Sequence, residues 1–373
     1  MRAAWYEHHG NPRESLVVGE MPDPVPGAGE VRIAVTISGV NPGDVKKRSG
    51  WQGSPMAYPR VIPHSDGAGT IDAVGTGVST SRVGERVWCY GAQSYRPFGT
   101  AAEFVVVPDE LAVPLARSAG NAEGGRQVGG AAVGAGGDVL GVGGAVLGAG
   151  GAAVGAGAPD ELDEQASCLG IAGITAHRAV FADGPVDGLV VLVHGAAGGV
   201  GSIATQLARR DGATVVAVVL DDDQRTKAEY MGANHVFLND DPALAESIRH
   251  VAPDGVHRVA EVDLAAHVDL DAEVLAIGGV ICSYFSSADR PAIPYWALGF
   301  KDTALRLLGS DDFTPAVKAE AARTLTDALL DGSLRSNIVA RFALEQIASA
   351  HEMVEAEAKG LVVINIAGAT GTS

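Results

Sequence analysis

Apolar positions along the chain fall into two regimes. Up to about residue 115 they form short β-forming runs: Val31–Val40, Ala68–Gly75, Arg86–Gly91 and Ala101–Pro108. Glycine and proline punctuate these runs, which predicts a compact, barrel-like β-rich unit. From Pro159 onward the pattern changes. PDELDEQASCLGIAGITAHRAVF has helical spacing, opened by Pro159 and Asp160. Leu189–Val193 is continuously apolar, as a parallel strand covered on both faces should be. An amphipathic helix over Ser202–Arg210 and a second buried strand over Thr214–Leu220 complete a βαβ unit. The alternation continues through a helix at Asp223–Met231, a strand at His235–Asn239 and a helix at Pro242–Val251. Strands follow at Val256–Val262, Leu275–Tyr284 and Thr303–Leu308. The fold class predicted is α/β: a β-rich domain joined to a doubly wound parallel sheet of about six strands. Pro315–Leu330 reads as an amphipathic helix. Val339–Phe342 and Leu361–Ile366 read as strands returning to the first domain.

Composition changes this picture in one place. Of 50 glycines, 16 lie between Ser118 and Ala158, with 11 alanines and the near-repeats GGAAVGAGG, GGAVLGAGG and GAAVGAGA. Such bias marks low complexity, and glycine loses much entropy on ordering while alanine buries little area in return. We expect a mobile insertion at 116–158. A Gly/Ala-packed lobe, or an interaction tail around Val139, Leu140 and Leu147, is the structured alternative.

A net charge of −18 opposes contact with phosphate backbones and anionic lipid, so neither nucleic acid nor membrane is an expected partner. Cys89, Cys168 and Cys282 are too few and scattered for a disulfide framework or a four-cysteine zinc site. The N-terminus lacks a basic segment followed by an apolar one, and no apolar run is long enough to span a bilayer. Together these features lead us to expect a cytoplasmic protein.

The strongest chemical signal is Ala196-Ala197-Gly198-Gly199-Val200-Gly201, a dinucleotide fingerprint with alanine in the first glycine place. Gly198 and Gly199 let backbone N–H groups approach a pyrophosphate, and Gly201 lets helix and strand pack closely. The helix N-terminus near Val200 adds its partial positive charge. A packing turn without ligand is the bland alternative, but the preceding strand and following helix favour the fingerprint. At the end of the second strand, Asp221, Asp222 and Asp223 point to NAD, whereas Arg225 and Lys227 point to NADP. They fit an exposed turn and helix face equally well.

With these residues in place, the chain resembles the medium-chain dehydrogenase/reductase superfamily, in its zinc-independent quinone oxidoreductase (zeta-crystallin-like) branch. The resemblance spans nearly everything except residues 116–158. It rests on SGVNPGDVKKRSGW (Ser38–Trp51), HSDGAGTIDAVGTGVSTSRVGERV (His64–Val87), LGIAGITAHRAV (Leu169–Val180), VHGAAGGVG and MGANHVF (Met231–Phe237). It implies a GroES-like catalytic domain beginning at 1–115, a Rossmann domain at 159–311 and a linking helix with C-terminal return at 312–373. In zinc-dependent relatives three ligands occupy places held here by Asn41, Ser65-Asp66 and Ile171, so no zinc is expected.

Quinones and α,β-unsaturated carbonyls need less Lewis-acid help than simple ketones, because hydride addition leaves a delocalised anion. The expected reaction is therefore NAD(P)H-dependent reduction of such a small molecule, with NADPH favoured and NADH the alternative. The resemblance places Asn41 and Asp44 at the cleft floor. Asn41 could donate its amide N–H to the substrate oxygen, or serve only as a turn residue; Asp44 could orient Lys47 or a water, or cap the next helix. Lys46, Lys47, Trp51 and Tyr58 would line the pocket, with Tyr58 the candidate proton donor. His64 reads as a loop residue, and His177 stands where relatives often carry tyrosine. Cofactor contacts are expected from Thr175, from Ala197, Gly198, Gly199, Val200 and Gly201, from Arg225 at the 2′-phosphate, from Asn239 near the adenosine, and from Ser283 and Phe285 at the nicotinamide end. Lys359 is a further candidate. Other readings are an enoyl reductase acting in trans on carrier-bound substrates of a biosynthetic pathway, and a non-catalytic NADP-binding protein. The edge strand around Ala304–Leu308 predicts a homodimer.

Overall fold

The computed structural model describes residues 1–116 and 160–366. The insertion expected at 116–158 therefore lies, from residue 117 on, outside the described residues. Two sheets dominate. The second is wholly parallel and has six strands, in the spatial order His235–Leu238, Thr214–Val219, Val190–His194, Val256–Glu261, Leu275–Ser283 and Ala304–Leu307. The order reverses between Val190–His194 and Val256–Glu261, which opens a crevice beyond their C-terminal ends. Val191, Leu192 and Val193 are fully buried, because helices cover both faces of the sheet.

The first sheet has seven strands. Its spine is Glu30–Val40, paired antiparallel with Asp66–Val74 and Phe104–Pro108. Leu361–Asn365 pairs antiparallel with the same spine, Val362 opposite Val40, so the chain returns to its first sheet as the sequence suggests. Ile338–Ala343 extends that edge in parallel. The helix Pro315–Leu330 has the boundaries read from the sequence, with Thr314 as its N-cap. It joins the two halves: Leu325 packs in the core shared with Leu169 and Ile174, and Trp88 Nε1 donates to Thr326 Oγ1 at 2.9 Å.

Two expectations need correction, and one pair of strands gives no signal in the sequence. The helix after the glycine-rich turn starts at Gly199, not Ser202, because packing against the strand end overrides the poor helix propensity of glycine. The region after Pro159 is not one helix. Asp160 caps Glu161–Ala166, a wide π-type turn runs over Leu169–Gly173, and an α-helix resumes at Ile174–Phe181. The wide turn brings the Ile171 N–H to the Asp66 carboxylate at 2.7 Å. The strand Arg2–Trp5 pairs antiparallel with Val17–Glu20, and both are too short to show a period.

Candidate active site between the two sheets

The glycine-rich loop is built by close packing. Gly195 turns the chain at φ +64, and Gly198 N–H donates to Gly195 O at 2.8 Å. A Cβ on Gly201 would sit 2.2 Å from Gly195 O, so only glycine allows the helix to start against the strand. The N–H groups of Gly199, Val200 and Gly201 fall in the first helical turn, where no intrahelical acceptor exists. They are free to receive phosphate oxygens with the helix dipole behind them. From the far end of the chain, Asn337 Nδ2 donates to Ala197 O at 2.7 Å. The loop from Ala197 to Gly201 therefore fits a dinucleotide pyrophosphate.

At the end of the second strand the charged residues serve the turn and the helix that follows. Asp221 caps the helix Asp222–Tyr230, accepting from Gln224 N–H at 2.9 Å. Its carboxylate is ion-paired with Lys359, which holds its pKa below the ordinary value. The Arg225 guanidinium is turned away. It donates to Val236 O at 2.6 Å, near the start of the third strand, and to Asp222. Arg225 is thus committed to the helix–strand packing, and Lys359 is the cation beside Asp221. Asn239 is exposed at the same edge, its N–H donating to Val219 O at 2.8 Å.

At the seam between the sheets, the three positions matched to zinc ligands do converge. Asn41 Nδ2 donates to Asp66 Oδ2 at 2.8 Å, and Ile171 N–H donates to the same oxygen. Asn41 N–H donates to Asp44 Oδ2 at 2.8 Å, so Asp44 caps the helix Pro42–Ser49. Burial raises the Asp44 carboxyl to about 6 and the Asp66 carboxyl well above its ordinary value. These positions offer a zinc ion one carboxylate, one amide and a backbone N–H. A catalytic zinc needs three protein donors, so this set does not fit the metal. Cys168 is buried with its thiol pushed up to about 12, far from a ligating thiolate.

The Tyr58 hydroxyl, the candidate proton donor, has a partner of its own. It donates to Tyr95 O, and Tyr95 OH in turn donates to Asp312 Oδ1 at 2.7 Å. The proton assigned to the substrate is engaged in holding a loop. Thr175 is buried at the second position of Ile174–Phe181. Ser283 Oγ donates to Phe285 O at 2.9 Å, and Ser283 O accepts from Leu308 N–H at 2.8 Å. The Ser283 carbonyl is consumed by the sheet, while the Phe285 ring faces the Lys46 ammonium. His64 lies in a loop, buried and stacked on His351, and His177 packs on Phe181.

Sequence reasoning missed a polar cluster behind the loop. His194, at the end of the first parallel strand, bonds Asp271 Oδ1 through Nε2 at 2.9 Å; His267 Nδ1 meets Glu261 Oε1 at 2.9 Å. Among the described residues, His194, Glu261 and His267 are the one His/Cys/Asp/Glu set close enough to share a metal ion. The two imidazoles stack with planes 6° apart and centroids 4.4 Å apart. No ion can lie in both ring planes of such a stack, so the cluster is a hydrogen-bonded anchor for the crevice wall. His194 lies 67 residues from Glu261 and 77 from Asp271, a spacing that carries no local signal.

Fold and loop define a dinucleotide-binding protein made of a GroES-like β unit and a Rossmann sheet. Residues 27–117 match the model of the alcohol dehydrogenase GroES-like domain, and residues 199–306 match that of the zinc-binding dehydrogenases, together a little over half of the chain. The quinone oxidoreductase of Rattus norvegicus is 28% identical over 355 residues, covering 94% of this chain and 93% of the rat protein. The structure of a mycobacterial quinone oxidoreductase is 25% identical with a TM-score of 0.75, covering 98% of this chain and 100% of that one. A mycobacterial protein complexed with NADPH matches at 25% identity and a TM-score of 0.74, covering 98% of this chain and 100% of that one. The chain belongs to the medium-chain dehydrogenase/reductase superfamily, in its quinone oxidoreductase (zeta-crystallin-like) branch.

Proposed function

We propose that the protein is an NADPH-dependent oxidoreductase that reduces quinones or α,β-unsaturated carbonyls without zinc. The carrying observation is the seam: in a chain that also builds a pyrophosphate-type loop, Asn41 Nδ2 and the Ile171 N–H both donate to the Asp66 carboxylate at the positions matched to metal ligands. Bound NADPH supplies the hydride, and a proton completes the reduction. Asn41 has a second amide N–H beyond the one given to Asp66, which supports it as the donor to the acceptor oxygen. Asp66 orients that amide, and Asp44 fixes the turn carrying it. Lys359, beside Asp221, is the cation we assign to the 2′-phosphate. The near-full-length likeness to stand-alone quinone oxidoreductases favours this reading over a carrier-dependent enoyl reductase or a non-catalytic binding protein.

We divide the chain into a catalytic domain from 1–115, an insertion at 116–158, a Rossmann domain at 159–311 and a linking and returning segment at 312–373. A homodimer is supported by the edge strand Ala304–Leu307 and the exposed Ile277, Tyr295, Trp296, Phe300 and Leu307 around it. No described helix is long and apolar enough to cross a membrane, and the three cysteines are free and buried, which supports a reducing, cytoplasmic setting. The test is oxidation of NADPH by 1,4-benzoquinone and by simple enones, followed at 340 nm after metal chelation. Turnover that survives chelation is expected. Binding of NADPH without turnover on any acceptor overturns the reading.

A further inference from the structure

Lys46 lies on the helix Pro42–Ser49 of the first sheet's unit, at the seam with the second. Its Nζ stands 4.1 Å from the centroid of the Phe285 ring, which follows the fifth parallel strand, and 4.9 Å from that of Trp51. The ammonium therefore bridges the two halves, held between one aromatic face from each. Both rings remain exposed to solvent, Trp51 by 50% and Phe285 by 40%.

The charges around this lysine are already spent. Lys47 Nζ pairs with Asp311 Oδ2 at 3.0 Å, and Gln52 Nε2 donates to Asp289 Oδ1 at 3.0 Å. Among the described residues Lys46 has neither an ion-pair partner nor a hydrogen-bond acceptor for its Nζ. That is notable in a chain with 45 acidic against 27 basic residues, where a carboxylate partner is easily found. The cation is half-buried, and burial lowers its pKa. Ring faces offset part of the lost hydration. They do not neutralise the charge, and a planar molecule can slide against the same faces.

We propose that Lys46, with Trp51 and Phe285, forms an acceptor subsite selective for planar acceptors that carry an anionic group, such as a quinone or enone bearing a carboxylate. This rests on the reductase reading above and deepens it. The acceptor ring lies against the exposed surface of Phe285 and Trp51 beside the ammonium, its anionic substituent meets that ammonium, and its reducible carbonyl is left toward Asn41. Lys46 thereby selects and positions the acceptor, while the hydride step is unchanged.

Two measurements test this. Wild-type protein and Lys46→Met are titrated with naphthalene-2-sulfonate and its neutral analogue naphthalene-2-sulfonamide, following tryptophan fluorescence. Neither ligand is reducible, so the result does not depend on turnover. The wild type is expected to prefer the sulfonate about tenfold, and the variant to lose that preference. In parallel, kcat/KM is compared for 1,4-naphthoquinone-2-sulfonate and 1,4-naphthoquinone with NADPH. The ratio of the two is expected to fall about tenfold in Lys46→Met, through KM, and to shrink in the wild type at 0.5 M NaCl. Equal changes for charged and neutral ligands overturn the proposal, as does a variant whose loss lies in NADPH affinity. Absence of turnover with intact sulfonate selectivity counts against the reductase reading and leaves the anion subsite standing.

Discussion

Gly201→Ala is the sharpest test of the phosphate loop. The added Cβ would lie 2.2 Å from Gly195 O, 2.8 Å from Gly195 C and 3.0 Å from Ala196 Cα, where ordinary contact begins at 3.4 Å. All three atoms are backbone, so no rotamer change relieves the overlap. The helix start must move away from the strand end by about 1 Å, an overpacking strain of about 1–3 kcal/mol. The better helix propensity of alanine, about 1 kcal/mol, works in the opposite direction and offsets only part of it. The larger effect falls on function, because the displaced turn carries the N–H groups of Gly199, Val200 and Gly201. Losing one charge-assisted hydrogen bond, about 1.5–3 kcal/mol, raises the NADPH Kd by about 10- to 100-fold. The assay is a titration of NADPH fluorescence, with urea unfolding of the same samples. Two controls grade the argument. A Cβ at Gly198 meets Gly195 O at 3.2 Å with φ −76, and at Gly199 it meets only the flexible Leu361 side chain at 3.0 Å. Both alanine variants should therefore lose less stability in urea than Gly201→Ala. Wild-type affinity in Gly201→Ala, or a reversed order among the three, refutes the reasoning.

Three further outcomes follow from the site. Asp44 has a folded pKa of about 6, raised by burial from 3.8, so its contribution to stability is complete below pH 3.8 and is lost as pH rises through 6. Asp44→Asn, which does not titrate, should therefore gain on the wild type by up to about 3 kcal/mol between pH 4 and 6.5; a pH-independent difference in urea unfolding contradicts this. Lys359→Ala should weaken NADPH binding several-fold more than NADH binding, whereas Arg225→Ala should leave the ratio of the two affinities near that of the wild type. The opposite pattern in competitive titrations would return the 2′-phosphate to Arg225. Tyr58→Phe should lower kcat by less than about threefold, since its hydroxyl holds the Tyr95 carbonyl; a hundredfold loss in steady-state turnover would restore it as the proton donor.

Wherever chemistry depends on neighbours in sequence, the chain could be read directly. The apolar run before HGAAGGVG, the amphipathic spacing after it and the alternation to Leu308 determine a Rossmann sheet, because strand and helix periods are local properties. The loop residues Ala197 to Gly201 are legible for the same reason. Their conformation is set by glycine content and by the helix that follows. Asn41, Asp66 and Ile171 could be placed at corresponding positions, but their meeting could not be seen, since it depends on a π-type turn whose width is set by packing against Asp66. The side-chain directions of Arg225 and Tyr58 were not legible in the sequence. Each residue sits near its expected element, yet each spends its donor on a backbone carbonyl 11 and 37 residues away. Asn337 reaches the glycine-rich loop, and Lys359 reaches Asp221, only because the C-terminal strand returns to the first sheet. The His194–Asp271 and Lys46–Phe285 contacts likewise join separate elements. Sequence alone determined which backbone would be built and where a pyrophosphate could rest. Tertiary structure decided which charges remain free around it, because a side chain's partner is chosen by distances that no local period encodes.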